Sequence, residues 1–218
     1  MTEVNLMERY PKSKGRNAER PVITDEDRRI SKQFGKDYFD GDRRHGYGGF
    51  NYHERFWTDT VQLFRDYYHL REDAAILDIG CGKGFMLYDF MKLMPKARLA
   101  GLDISEYAVE HCVEPLKPFV RVGNARALPF EDKSFDLVIA INTIHNLPYN
   151  DCMQSVREIQ RVARVHAFIM VDAWRTEEQR QAMLKWVLTA ETMLHADDWL
   201  KLFENVGYTH DYYWWTVE

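Results

Sequence analysis

Residues 76–84 read Ile76-Leu77-Asp78-Ile79-Gly80-Cys81-Gly82-Lys83-Gly84. The run opens with branched apolar residues that suit a buried parallel strand. Three glycines then break it, and Phe85 to Met94 continues with helical spacing. Glycine has no Cβ and accepts positive φ, so backbone can approach a ligand closely where a strand turns into a helix. The start of that helix adds N–H groups with no intrahelical partner. The stretch therefore reads as a turn that binds a small molecule. Its G-x-G-x-G spacing differs from the G-x-G-x-x-G of a dinucleotide turn. Gly84 after Lys83 removes the Ser/Thr that a P-loop requires.

Working outward, Arg98 to Ile104 is a second short strand ending in Asp103. Asp103 lies about twenty residues past the glycine turn, the length of one βα unit. A carboxylate only accepts hydrogen bonds and can take two donors, whereas the bland use of Asp103 is a helix N-cap, with Ser105 as rival cap. Further on, Val122-Gly123-Asn124-Ala125-Arg126-Ala127-Leu128-Pro129-Phe130 precedes Glu131-Asp132-Lys133-Ser134-Phe135-Asp136-Leu137-Val138. The periodicity predicts strands at 75–79, 98–103, 119–122, 135–141 and 166–172. Helices are expected at 84–94, 105–116, 150–163 and 196–205, with a helix-rich segment over 176–193. Such alternation signals an α/β fold, a parallel sheet with helices on both faces. Gly207 is placed to end the last helix, and one aromatic strand follows over about 208–216.

These three stretches, in this order and spacing, resemble the motifs of the class I S-adenosylmethionine-dependent methyltransferases across residues 74–174. The resemblance implies a doubly wound, mostly parallel, Rossmann-like sheet and S-adenosyl-L-methionine as cofactor. It implies binding at Asp78, Gly80, Cys81 and Gly82 in the turn and at Asp103 on the ribose hydroxyls. Ile104 stands beside Asp103, Asn124 and Ala125 meet adenine, and Asn142 stands at the end of the fourth strand. The family usually has Asp where this chain has Asn124; an amide oxygen can still accept from the adenine amino group. Family members end in two strands, the last inserted antiparallel. Only one clear strand remains here, so either the sheet is one strand short or the 176–193 segment replaces something.

Methyl transfer demands an acceptor and a methyl group held in line, with a general base only where the acceptor must lose a proton. The loop after the fourth strand carries His145, whose side chain is expected to face the reacting groups, or else to cap a turn or pack under the lid. Residues 34–56 set five glycines and several charges among aromatic residues, a composition that suits an ordered functional loop. It reads as a lid bearing Tyr38, His45, Tyr47, Tyr52, His53 and Arg55, with Tyr47 as a second catalytic candidate and Arg55 as a partner for the cofactor's carboxylate. The same aromatics would otherwise wrap the sheet as core. Asn146-Leu147-Pro148-Tyr149 resembles N-P-P-Y of the amino-methyltransferases but falls too late and lacks the first proline, so it is set aside.

The chain has 218 residues and a net charge of −5, which argues against a dedicated nucleic-acid surface. Three cysteines without metal spacing fit a reducing cytoplasm and no metal site. No apolar run is long enough to span a bilayer. The organisation expected is an N-terminal arm, lid loop and helix over 1–73, including a short helix capped by Thr24, and a cofactor-binding domain over 74–218. The terminal aromatics read as buried core or as the contact of a homodimer. The expected function is methyl transfer to an oxygen or nitrogen of a small metabolite. A protein or RNA methyltransferase docking through the mixed-charge arm, and a cofactor-binding partner without transferase activity, remain as rivals.

Overall fold

The computed structural model describes residues 1–11 and 22–216. Helix α1 (Asp25–Ser31) starts at Thr24 through a capping box: Thr24 Oγ1 accepts from the Asp27 N–H at 3.1 Å, and Asp27 Oδ2 accepts from the Thr24 N–H at 2.8 Å. The single-turn α2 (Lys36–Phe39) interrupts the lid, and α3 (Glu54–Tyr67) supplies the helix expected before the cofactor-binding domain.

Then the chain alternates: β1 (Ala75–Ile79), α4 (Phe85–Leu93), β2 (Arg98–Asp103), α5 (Glu106–Glu110), β3 (Val120–Val122), β4 (Phe135–Ile141), α6 (Tyr149–Val162) and β5 (Ala163–Trp174). Helix α7 (Glu177–Trp186), the short β6 (Leu194–His195), α8 (Ala196–Asn205) and β7 (Asp211–Trp215) complete it. The sheet runs β3-β2-β1-β4-β5, with β6 on the far end of β5 and β7 along its middle. Every described pairing is parallel.

Three expectations change. The helix over 105–116 stops at Glu110, because Pro115 cannot continue it and a 3-10 turn, Glu114–Leu116, takes over. The helix over 176–193 ends at Trp186, and the chain then folds back so that the N–H groups of Glu191 and Thr192 both donate to the His145 carbonyl at 2.9 Å. The last strand is parallel, and the edge beyond it is taken by the N-terminal arm. The Val4 N–H donates to Tyr212 O at 2.9 Å, the Tyr212 N–H to Thr2 O at 3.0 Å, and Arg175 grips Glu3 at 2.7 Å. The rest of the expected arm, residues 12–21, lies outside the described residues.

Side chains alternate between two cores. On one face Leu77, Ile79, Val138 and Ile169 pack under Val156, Ile159, Trp199 and Phe203 of α6 and α8. On the other Ile76, Leu137, Ile139 and Phe168 pack under Val61, Phe64, Leu87 and Phe90 of α3 and α4. Strand period two and helical period 3.6 thus meet in a doubly covered sheet, which leaves the carboxyl ends of the strands as the open edge.

Candidate functional site

At that edge β1 runs into the glycine turn. Gly80 has φ +76°, and a Cβ there would collide with the Thr143 hydroxyl. Thr143 in turn donates to the carbonyls of Ile79 and Ile141, each at 3.0 Å, and so ties the ends of β1 and β4 together. Only glycine fits this approach. Asn142, just past β4, has φ +52°, a left-handed conformation uncommon outside glycine and one that concentrates at functional sites.

Asp103 ends β2 and is buried. Its Oδ2 accepts from the Gly82 N–H at 2.7 Å and its Oδ1 from the Ser105 N–H at 2.8 Å. A carboxylate offers about four lone-pair sites, so each oxygen keeps capacity for a further donor. Burial raises its pKa, and the N–H groups of Ser105, Gly82 and Ile104 work against that rise. Asp78, buried within β1, is pushed up to about 7 by burial and by the neighbouring charge of Asp103. Asn124 Oδ1 accepts from the Arg126 N–H at 3.1 Å, an Asx turn that fixes the side chain.

A cavity of about 710 Å³ runs along this edge. Asp78, Gly80, Cys81, Gly82, Asp103, Ile104, Asn124, Ala125 and Asn142 all line it, so the fold brings together the whole set expected to bind cofactor. Of the lid residues, Tyr38, Tyr47 and Arg55 line it too. Tyr47 is exposed, and the adjacent Tyr38 phenol holds its pKa above the ordinary range.

Other expected residues are turned elsewhere. His145 does not face the cavity. It is buried, its Nδ1 accepts from the Asp172 N–H at 3.0 Å, and its Nε2 sits 3.9 Å from the Asp172 carboxylate. Burial lowers its pKa. The 3-10 turn Ile144–Asn146 swings the ring beneath the site, where it braces β5. Tyr52 donates to Asp89 at 2.5 Å, His45 pairs with Asp27 at 3.2 Å, and His53 caps α3.

Sequence reasoning missed two parts. Lys83, in the glycine turn, donates to both carboxylate oxygens of Asp40 and to Phe50 O at 2.9 Å, and Tyr107 donates to Asp40 at 2.7 Å. The lid is thereby fastened to the turn, and Phe50 lies 3.2 Å from where a Gly82 Cβ would stand. The other missed part is the far wall: Asn5, Met7, Tyr10 and Pro11 of the arm, Phe56 and Trp57 of α3, and Tyr213 and Trp215 of β7. Alternation along β7 carried the signal, since Tyr212 and Trp214 are buried while Tyr213 and Trp215 stand on the opposite side.

Residues 77–171 match a family profile described as a methyltransferase domain. The chain is 31% identical over 143 residues to a demethylmenaquinone methyltransferase of Lactococcus lactis, covering 62% of this chain and 54% of that protein. It is 28% identical over 133 residues to a tRNA (carboxymethyluridine(34)-5-O)-methyltransferase of Arabidopsis thaliana, covering 60% of this chain and 31% of that one. In neither match does the chain span two thirds of the relative's length. Among solved structures, a putative methyltransferase of Bacillus halodurans superposes with a TM-score of 0.53 at 18% identity, over 67% of this chain and 68% of the other. A putative methyltransferase from an antibiotic biosynthesis pathway of Anabaena variabilis gives 0.50 at 25% identity, over 68% and 61%.

Proposed function

Residues 77–171 belong to the class I S-adenosylmethionine-dependent methyltransferases, and from that premise we propose that this protein transfers a methyl group to an oxygen or nitrogen of a small metabolite. One observation carries the reading. The Asp103 carboxylate, with a free lone pair on each oxygen, stands between a glycine turn and the Asn124 loop along one cavity.

S-adenosylmethionine supplies a sulfonium-bound methyl group that leaves a neutral thioether behind. The residues present fit it. Gly82 keeps the turn open where a side chain would crowd it, Asp103 accepts from the two ribose hydroxyls, and Asn124 and Ala125 meet the adenine edge. Ile104 flanks the base. Asp78, Gly80 and Asn142 hold the amino-acid end, where the carboxyl of Asp78 suits an ammonium. Cys81 is buried with its thiol pKa well raised, so it packs rather than reacts. Tyr47 contributes a positioned hydroxyl from the lid. The protein's main work is to hold acceptor and methyl group in line and exclude water, a kind of positioning that removes about 7–11 kcal/mol in well-oriented systems.

The lid closes the cavity with aromatic rings, which favours a small acceptor over a polymer. Among the described residues no helix is long and apolar enough to cross a membrane, and no cluster of His, Cys, Asp or Glu could hold a metal. The test is to supply methyl-labelled S-adenosylmethionine and the protein to a cell extract and separate the products. Label in the low-mass fraction is expected. Label confined to RNA or protein would overturn the small-metabolite reading.

A further inference from the structure

The cavity is longer than the cofactor-binding set that lines one end of it. Asp103, Gly80 and Asn124 sit at the ends of β2 and β1 and just past β3. Met170, Tyr213 and Trp215 sit on β5 and β7, and β7 is three strand steps from β1, about 14 Å at about 4.8 Å per step. This far end is built of rings. Tyr10 packs on Trp57 with centroids 4.8 Å apart and on Phe56 at 5.6 Å, and Trp215 packs on Trp186 at 4.7 Å. The wall is pre-formed, because the arm that carries Tyr10 is pinned to β7 through Val4 and to Arg175 through Glu3.

One charge stands on this wall. The Arg55 guanidinium lies 4.7 Å over the Phe56 ring and lines the cavity. Among the described lining residues it is the only lysine or arginine, and among the described residues no carboxylate pairs with it. Aromatic faces alone would also welcome an ammonium group. Arg55 on the same wall repels one and attracts an anion, for which its planar fork is suited.

Resting on the methyltransferase reading above, we propose that the β5–β7 end is the acceptor site and takes a flat aromatic acid. Its ring stacks among Tyr10, Trp57 and Trp215, and its anionic group pairs with Arg55. Stacked rings and a guanidinium together select flatness and negative charge at once.

The test is calorimetry on the full chain saturated with S-adenosylhomocysteine, with naphthoate, cyclohexanecarboxylate and naphthyltrimethylammonium as probes. Naphthoate should bind, and the other two should bind at least about tenfold more weakly. Arg55→Gln and Trp57→Ala should each weaken naphthoate about tenfold while leaving S-adenosylhomocysteine affinity within about twofold. Trp215→Ala serves as a second ring variant should Trp57→Ala fail to fold. Equal binding of naphthoate and cyclohexanecarboxylate would overturn the proposal. So would an Arg55→Gln variant that loses S-adenosylhomocysteine but keeps naphthoate, since Arg55 would then serve the cofactor's carboxylate. Failure of the unaltered protein to bind S-adenosylhomocysteine would instead overturn the methyltransferase reading itself.

Discussion

Lys83 Nζ lies 2.8 and 2.6 Å from the two carboxylate oxygens of Asp40, joining the glycine turn to the lid. The lysine side chain is 7% exposed and the aspartate 23%. Burial raises the Asp40 pKa, but donors from Lys83, Tyr107 and the Phe50 N–H outweigh it and hold the carboxyl at about 2. A depressed aspartate contributes stability above its unfolded value, and that contribution is lost as pH falls toward 2.

Asp40→Asn leaves the buried ammonium without a counter-charge. We expect a loss of about 2–3 kcal/mol, somewhat below the cost of breaking a fully buried pair. Limited proteolysis should then cut faster within residues 34–50. The double variant Lys83→Met with Asp40→Leu should recover part of the loss, because apolar groups replace both charges. Unchanged cleavage in Asp40→Asn would show that the pair does not fasten the lid.

Asp78 has a pKa of about 7, set first by burial and then by Asp103. For an aspartate whose folded value lies above its unfolded one, the contribution to stability is full below the unfolded value and fades as pH rises to about 7. A cofactor cation beside Asp78 favours the charged form. Affinity for S-adenosylmethionine should therefore rise as pH increases through about 7, with proton release on binding at lower pH. Calorimetry in two buffers of different ionisation enthalpy measures that release. A flat profile would remove Asp78 from contact with the cofactor's charge.

His145 braces the Asp172 N–H from beneath the site. His145→Ala leaves that buried donor unsatisfied and should cost about 1–3 kcal/mol in denaturant unfolding. Its pKa is lowered by burial, so its contribution is present above its unfolded value near 6.5 and is lost as pH falls below it. Affinity for S-adenosylhomocysteine should stay within about twofold, an effect below 1 kcal/mol. A large loss of affinity at full stability would return His145 to the site.

The glycine turn, and the placing of Asp103 and Asn124 along one edge with it, were legible in the sequence because they are local. Each depends on a strand end and the few residues after it, and backbone geometry then fixes the rest. The same holds for Thr24, which caps the helix that follows it. Whether His145 faces the site or packs beneath it stayed open in the sequence, because its direction is decided by a 3-10 turn and by β5, twenty-seven residues away. The Lys83–Asp40 pair joins residues forty-three apart, and neither one's neighbours in sequence announce the other. Placing the N-terminal arm on β7 required knowing which edge the assembled sheet offers to it.

The central claim is that the β1–β3 end of the cavity binds S-adenosylmethionine through Asp103. Titrating S-adenosylhomocysteine into the protein and into Asp103→Ala tests it most directly. One site per chain is expected, weakened by about 1–3 kcal/mol in the variant as buried charge-assisted bonds to ribose are lost. Asn124→Leu should weaken it as well, while Asn124→Asp should retain it. Equal affinity in the unaltered protein and Asp103→Ala, or no binding by the unaltered protein, would contradict the account.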